Sequence, residues 1–314
     1  MTATLPINID SSLRRRNVES ERVEIRSYSN TVQTHGEDER ELLGLAATVP
    51  FDDRYHPNAS LADLSPLLIR AHLQDARSDL FHELPGLSME ALARRMNIVG
   101  GPDEALFPKN VGLLFFNDRP HEFFPATQID VIWFPDGPDG GNFEERQFRG
   151  PLAAILRDAV SYIDRNLLKQ AVVKHPDRPE ADRFWNFPLA AIEEALGNAI
   201  YHRSYEVREP VKVRITPEEI VVLSFPGADR SIRMADLLQG RAVSHRYRNL
   251  RIGEFLRELD SAKSHSTGVP KILRAMRNNG SPPPNFETDD DRTWFLVRLP
   301  VHSGFRGQRK AAWD

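Results

Sequence analysis

Glu194 and Asn198 are the residues of this chain whose types and spacing point most directly to chemistry. They lie in the run Leu189-Ala190-Ala191-Ile192-Glu193-Glu194-Ala195-Leu196-Gly197-Asn198-Ala199-Ile200-Tyr201-His202-Arg203. At about 100° per residue, Leu189, Ile192, Leu196, Ala199 and Ile200 form one apolar stripe of a helix, with Glu194 and Asn198 on the opposite side. Spaced one helical turn apart, a carboxylate and a carboxamide project toward the same point. An amide oxygen is a hard neutral ligand for magnesium, and a carboxylate beside it can orient or deprotonate a water aimed at a terminal phosphate. The small residues Ala190, Ala191, Ala195 and Gly197 leave room for a ligand to approach, although Gly197 costs the helix about 1 kcal/mol relative to Ala. Taken alone, the pair is better explained by a solvated helix face.

Two later segments carry compatible groups. Leu223-Ser224-Phe225-Pro226-Gly227-Ala228-Asp229-Arg230 ends a strand in a turn bearing a glycine, an acid and a cation. Strand ends in α/β sheets are frequent ligand sites, and a plain Pro-Gly turn with a solvated Asp229–Arg230 pair is the simpler alternative. Ser264-His265-Ser266-Thr267-Gly268-Val269 sets hydroxyls and a glycine before a helix N-terminus, whose free amides and dipole favour phosphate; ordinary capping is the alternative there. Nine cations (Arg241, Arg246, Arg248, Arg251, Arg257, Lys263, Lys271, Arg274, Arg277) face three acids (Glu254, Glu258, Asp260) between residues 241 and 277. That excess suits either a phosphate-rich ligand or solvated helix faces.

The elements that must position these groups follow from periodicity and breakers. Expected are a helix over 188–201, a strand over 211–215, a turn over 216–219 and a strand over 220–225. Helices over 249–259 and 269–277 then lead through Gly280-Ser281-Pro282-Pro283-Pro284 to a strand over 293–299. Upstream, helices are expected over 37–49, 61–80, 88–96 and 151–168, and strands over 111–116 and 128–134 in one sheet, followed by a turn over 136–142. No internal repeat is visible, so mixed α/β is the class. The expected domains are a tail over 1–20, a smaller α/β domain over 21–150, a second domain over 151–303 and a tail over 304–314.

Composition narrows the chemistry. With 314 residues, 40% of them hydrophobic, the chain can bury a sizeable core, and a net charge of −4 argues against a surface built throughout for nucleic acid or anionic lipid. The absence of cysteine removes disulfides, thiolate metal sites and cysteine nucleophiles, and fits a reducing cytoplasm. No Gly-Lys pair exists, which excludes a P-loop motor, and His121-Glu122 lacks the second His of a zinc-protease helix because Pro125 stands there. Neither a Gly-x-Ser-x-Gly elbow nor a convincing histidine cluster is present. Without a signal-like or membrane-spanning apolar run, a cytoplasmic location and no membrane contact are expected.

With these residues in hand, the sequence resembles the RecG-like transcriptional regulators that join a Schlafen AlbA domain to a GHKL-like (Bergerat-fold) ATPase module. The resemblance rests on Asn110–Phe116, Phe123-Phe124-Pro125, the block from Glu194 to Tyr205, Phe225-Pro226-Gly227, Tyr247-Arg248-Asn249 and Ser266-Thr267-Gly268-Val269-Pro270-Lys271-Ile272. It implies a C-terminal α/β sandwich with helices on one face of a mixed sheet, and ATP with Mg2+ as cofactors. By resemblance Glu194 is the water-activating base and Asn198 the magnesium ligand, with Gly227 and Gly268 in the two glycine boxes. The nucleotide-binding set it implies is Asn198, His202, Arg203, Ser224, Gly227, Asp229, Arg230, Arg248, Asn249, Ser266, Thr267, Gly268 and Lys271. Ser224 stands where typical members carry an Asp that recognises adenine, and Ser266 replaces a usual glycine. The resemblance also implies that the chain begins inside the AlbA region, Val23-Glu24-Ile25-Arg26 being similar to its last strand. The function it implies is a slow regulatory ATPase or ATP-dependent switch. Partners are ATP with a nucleic acid, a partner protein or a second copy in a homodimer. The alternative is a non-catalytic nucleic-acid-binding regulator or assembly subunit that uses the basic 241–277 region.

Overall fold

The computed structural model describes residues 49–102, 104–175, 178–242, 247–261 and 268–306, which all belong to one compact unit, Val49–Asp314. The expected tail over 1–20, the strand at Val23–Arg26, the helix over 37–49, Ser266, Thr267 and the last eight residues lie outside the described residues.

Chain order explains the architecture. Helices α1 (Pro66–Asp75), α2 (Leu80–Glu83) and α3 (Met89–Arg95) lead to a short ribbon of β1 (Val99–Gly100) with β2 (Phe107–Pro108), then to α4 (Asn110–Phe116). Strands β3 (Gln128–Trp133) and β4 (Glu144–Arg149) follow, then α5 (Leu152–Leu167), the hairpin β5 (Gln170–His175) and β6 (Arg178–Trp185), and α6 (Leu189–His202). The last part holds β7 (Val211–Ile215), β8 (Glu219–Ser224), α7 (Met234–Leu238), α8 (Leu250–Ser261), α9 (Val269–Asn278), β9 (Asn285–Glu287) and β10 (Phe295–Pro300). The main sheet has the order β4-β3-β7-β8-β10-β9. Only β3 and β7 pair in parallel; the other neighbours are antiparallel. A parallel pair needs a long crossover, here α5, the β5–β6 hairpin and α6.

Period-two alternation and the strand register place Ile129, Val131, Val211, Val213, Ile215, Val222 and Leu299 on one sheet face, none more than 1% exposed. Each such side chain contributes about 1.5–3 kcal/mol by leaving water. Helix α5 meets this layer with Leu152, Ile155, Ala159, Ile163 and Leu167, a helical stripe that is entirely buried. Among the described residues no helix is long and apolar enough to cross a membrane.

Several elements differ from expectation. The run 111–116 is not a strand but part of α4, and every residue of α4 is buried. A short run that is apolar on all sides has no period with which to choose between helix and strand. The stretch 61–80 is not one helix: Pro66 starts α1 afresh after the turn Leu61–Asp63. Strands β4, β5, β6 and β9 were not expected, and β4 (Glu144-Glu145-Arg146-Gln147-Phe148-Arg149) is almost wholly exposed, so it carries no hydrophobic signal. The expected boundary near residue 150 falls inside the compact unit, because β3 and β4 join the sheet that β7, β8 and β10 build.

Candidate functional site

Helix α6 begins after Pro188, in extended conformation, and runs through Leu189–His202. It lies between the sheet and α9, so both of its sides are covered. Glu194, expected opposite the apolar stripe as a site residue, is therefore only 5% exposed. A buried carboxylate is costly unless it is paired, and the structure supplies partners from α9.

Gly268 precedes α9 with φ 67° and ψ −140°, a backbone conformation that favours glycine. That geometry brings its N–H to Glu194 Oε1 at 2.8 Å. Lys271 Nζ lies 3.3 Å from Glu194 Oε2, and Asn198 Nδ2 donates to Glu194 Oε1 at 3.4 Å. The carboxylate thus occupies the positive end of the α9 dipole, and it joins two motifs 74 residues apart in sequence. Since Asn198 donates with its nitrogen, its Oδ1 is the amide atom free to accept or ligate; it makes no hydrogen bond to the described residues. Among the described residues no group of three or more His, Asp or Glu could hold a metal by itself. Asn198 Oδ1 suits instead a cation whose remaining ligands are phosphate oxygens and water.

The other candidates divide into two groups. Arg203, Asn249 and Gly227 build the scaffold. Arg203 is 1% exposed and donates to Ala126 O at 2.9 Å and Glu209 O at 2.8 Å; its guanidinium lies over Tyr205, and burial holds its pKa below the usual arginine value. Asn249 Nδ2 donates to Tyr201 O at 2.8 Å and Arg203 O at 2.7 Å, satisfying carbonyls that the end of α6 leaves open. Gly227 donates to Arg292 O at 2.7 Å. A Cβ at Gly227 would sit 2.7 Å from Thr288 Oγ1 and 2.9 Å from Arg292 O and Trp294 O, so the close approach that needs glycine is to the chain's own backbone.

The second group borders the C-terminal end of α6. Ser204 N–H donates to Phe225 O at 2.8 Å, which brings the end of β8 against this helix end. Ser224 is buried there. Asp229 accepts from Ser231 N–H at 2.9 Å and its hydroxyl at 2.5 Å, and Arg230 is exposed. Arg248 donates to His202 O; burial lowers the Arg248 pKa, opposed by the Asp229 carboxylate. His202 keeps an exposed surface, yet desolvation by the surrounding protein and then the Arg248 guanidinium push its pKa down. Ser266 and Thr267 lie outside the described residues, so of the second glycine segment only Gly268 and Lys271 are seen in place.

Two features were not singled out from the sequence. Tyr201 and Tyr247 stack at this helix end, with ring planes 16° apart; the signal was the Tyr in Tyr247-Arg248-Asn249. Asp52, fully buried, accepts from Ile252 N–H at 2.9 Å and so caps α8, a long-range contact that no local pattern announces.

Residues 209–299 match the family model described as "Putative ATP-dependent DNA helicase recG C-terminal", a stretch that holds β7, β8 and α9 but not α6. No curated protein matches the chain. Among solved structures the chain is similar to the DIP2311 protein from Corynebacterium diphtheriae, with TM-score 0.56 and 19% identity over 83% of this chain and 50% of that one. The chain therefore spans about half the length of that protein, and the likeness is one of fold. The chain is mixed α/β, and its C-terminal stretch matches a GHKL-type ATPase family.

Proposed function

We propose that the chain binds ATP with magnesium where α6 meets α9, and acts as a slow regulatory ATPase or ATP-dependent switch linked to transcription or another nucleic-acid process. The observation that carries this reading is the meeting of Glu194 and Asn198 with Gly268 and Lys271, beside a stretch matching a GHKL-type family. Lys271 and the first amides of α9 would receive phosphate. Asn198 Oδ1 would ligate magnesium, which when bound neutralises phosphate charge. A phosphate taken up by Gly268 N–H and Lys271 displaces the Glu194 carboxylate from both, leaving it able to orient a water. Binding and the seating of α9 on α6 are then one equilibrium, which is what a switch requires. Arg203, Asn249 and Gly227 serve by holding the site's walls. The link to Schlafen AlbA proteins rests on the sequence resemblance.

A thermal melt tests the reading. MgATP at about a hundred times its Kd stabilises by about 2.7 kcal/mol, or roughly 5–10 °C in a domain of this size. An unchanged Tm at millimolar MgATP refutes the function, and an Asn198→Ala variant that binds MgATP like the parent refutes the site. The alternative of a nucleic-acid-binding regulator or assembly subunit is less favoured. Within the basic 241–277 region, Arg248, Arg251 and Arg257 are engaged by His202 O, Met96 O and Gly253 O.

A further inference from the structure

One end of the proposed site is aromatic. Tyr201 follows Asn198 by three residues in α6, about 4.5 Å along the axis at roughly 1.5 Å per residue, and on a neighbouring line of the same face. Its ring centroid lies 6.2 Å from that of Tyr247 and 4.3 Å from that of His202. Tyr247 is 46% exposed, a large share for a ring that has a stacking partner. Its backing is built in. A Cβ on Gly253 would fall 2.5 Å from Tyr201 Cε2, so α8 carries glycine where the Tyr201 ring seats. Arg248 and Asn249, next in sequence to Tyr247, bond the carbonyls of His202, Tyr201 and Arg203 and tie this segment to the end of α6. Between the aromatic pair and Glu194 lies Gly197, and apart from its chain neighbours and the backbone of its own helix no described atom comes within 4 Å of where its Cβ would be.

Edge recognition of a base is poorly provided for at this end. β8 finishes on buried Ser224, and the Asp229 carboxylate is engaged by Ser231. An exposed π face is what the chain offers. Resting on the nucleotide reading above, we propose that Tyr247, backed by Tyr201, is a stacking platform for the nucleobase, so that the site accepts purine and pyrimidine nucleoside triphosphates with little discrimination. Every base has a π face, and stacking on an aromatic side chain tolerates base identity.

The test is calorimetric titration of the full chain with the magnesium complexes of ATP, GTP, CTP and tripolyphosphate. The parent is expected to bind the three nucleotides within about tenfold of one another, because stacking sets only modest preferences. Tyr247→Ala is expected to weaken each nucleotide by about 10- to 100-fold and to leave tripolyphosphate unchanged, while Tyr247→Phe keeps parental affinity for all four. Asn198→Ala should weaken all four ligands alike. Tyr247→Ala binding MgATP like the parent overturns the platform and leaves the nucleotide reading standing, as does a parent that prefers ATP over CTP by more than about a hundredfold. A parent that binds none of the four overturns both.

Discussion

Replacing Glu194 with Gln isolates the charge that holds α9 against α6. The amide keeps an oxygen for the Gly268 N–H, now accepted at 2.8 Å, but loses the ion pair with Lys271 at 3.3 Å. Three contributions go with the charge. Charge assistance in the hydrogen bond accounts for about 1 kcal/mol. The interaction with the α9 dipole accounts for roughly 0.5–1 kcal/mol. The ion pair accounts for about 0.5–1 kcal/mol, discounted because the Lys271 side chain is 24% exposed while that of Glu194 is 5% exposed. The expected loss is about 2–3 kcal/mol, lowering the urea midpoint by about 1 M at an m-value near 2–3 kcal/mol/M. Amide exchange at Gly268 should accelerate along with it. A double-mutant cycle with Lys271→Met should return a coupling of about 0.5–1 kcal/mol. A Glu194→Gln midpoint within 0.1 M of the parent, with Gly268 exchange unchanged, would show that the carboxylate does not hold this junction.

Gly227→Ala forces a Cβ against two backbone carbonyls and the Thr288 hydroxyl; a loss of about 2–3 kcal/mol in urea unfolding is expected. Asn249→Ala leaves the carbonyls of Tyr201 and Arg203 without this donor and should cost about 2–3 kcal/mol by the same measurement. Asp52 has its pKa raised, chiefly by burial and against the backbone amides that donate to it. A folded pKa above the unfolded one means that ionisation costs stability as pH rises from 3.8, the unshifted value, through the folded value. Unfolding titrations should therefore show the stability of Asp52→Asn, relative to the parent, improving over that window and constant below it. A difference that stays flat across the window would contradict the burial of an ionising Asp52.

The parts of the fold that were legible are those with a period or a breaker. The β7–β8 hairpin showed alternation with a polar turn, and α6 and α9 showed apolar stripes ended by Arg203 and Asn279. Helix α4 was misread because Val111-Gly112-Leu113-Leu114-Phe115-Phe116 is buried on every side. Strand β4 was missed because its place is decided by backbone pairing with β3. In the site, the motifs were visible but not the direction of their groups. Arg203 and Asn249 look like ligand residues in sequence, yet both spend their donors on main-chain carbonyls. Spacing along a helix tells which residues share a face and is silent about what another segment, such as Gly268, brings to that face.

The parallel register of β3 on β7 also governs how the chain can be cut. Ile129 pairs with Val211 and Trp133 with Ile215, and beyond β3 the sheet finishes on the charged strand β4. A fragment limited to 151–303, or to the matched 209–299, would lose both strands and bare the β7 ladder along Val211, Val213 and Ile215, all fully buried in the intact chain. Such an open, apolar edge templates pairing with another copy. The excised piece should accumulate as β-rich aggregates, and shelter of β7 by the preceding segment makes the minimal soluble unit longer than the stretch shared with the ATPase family.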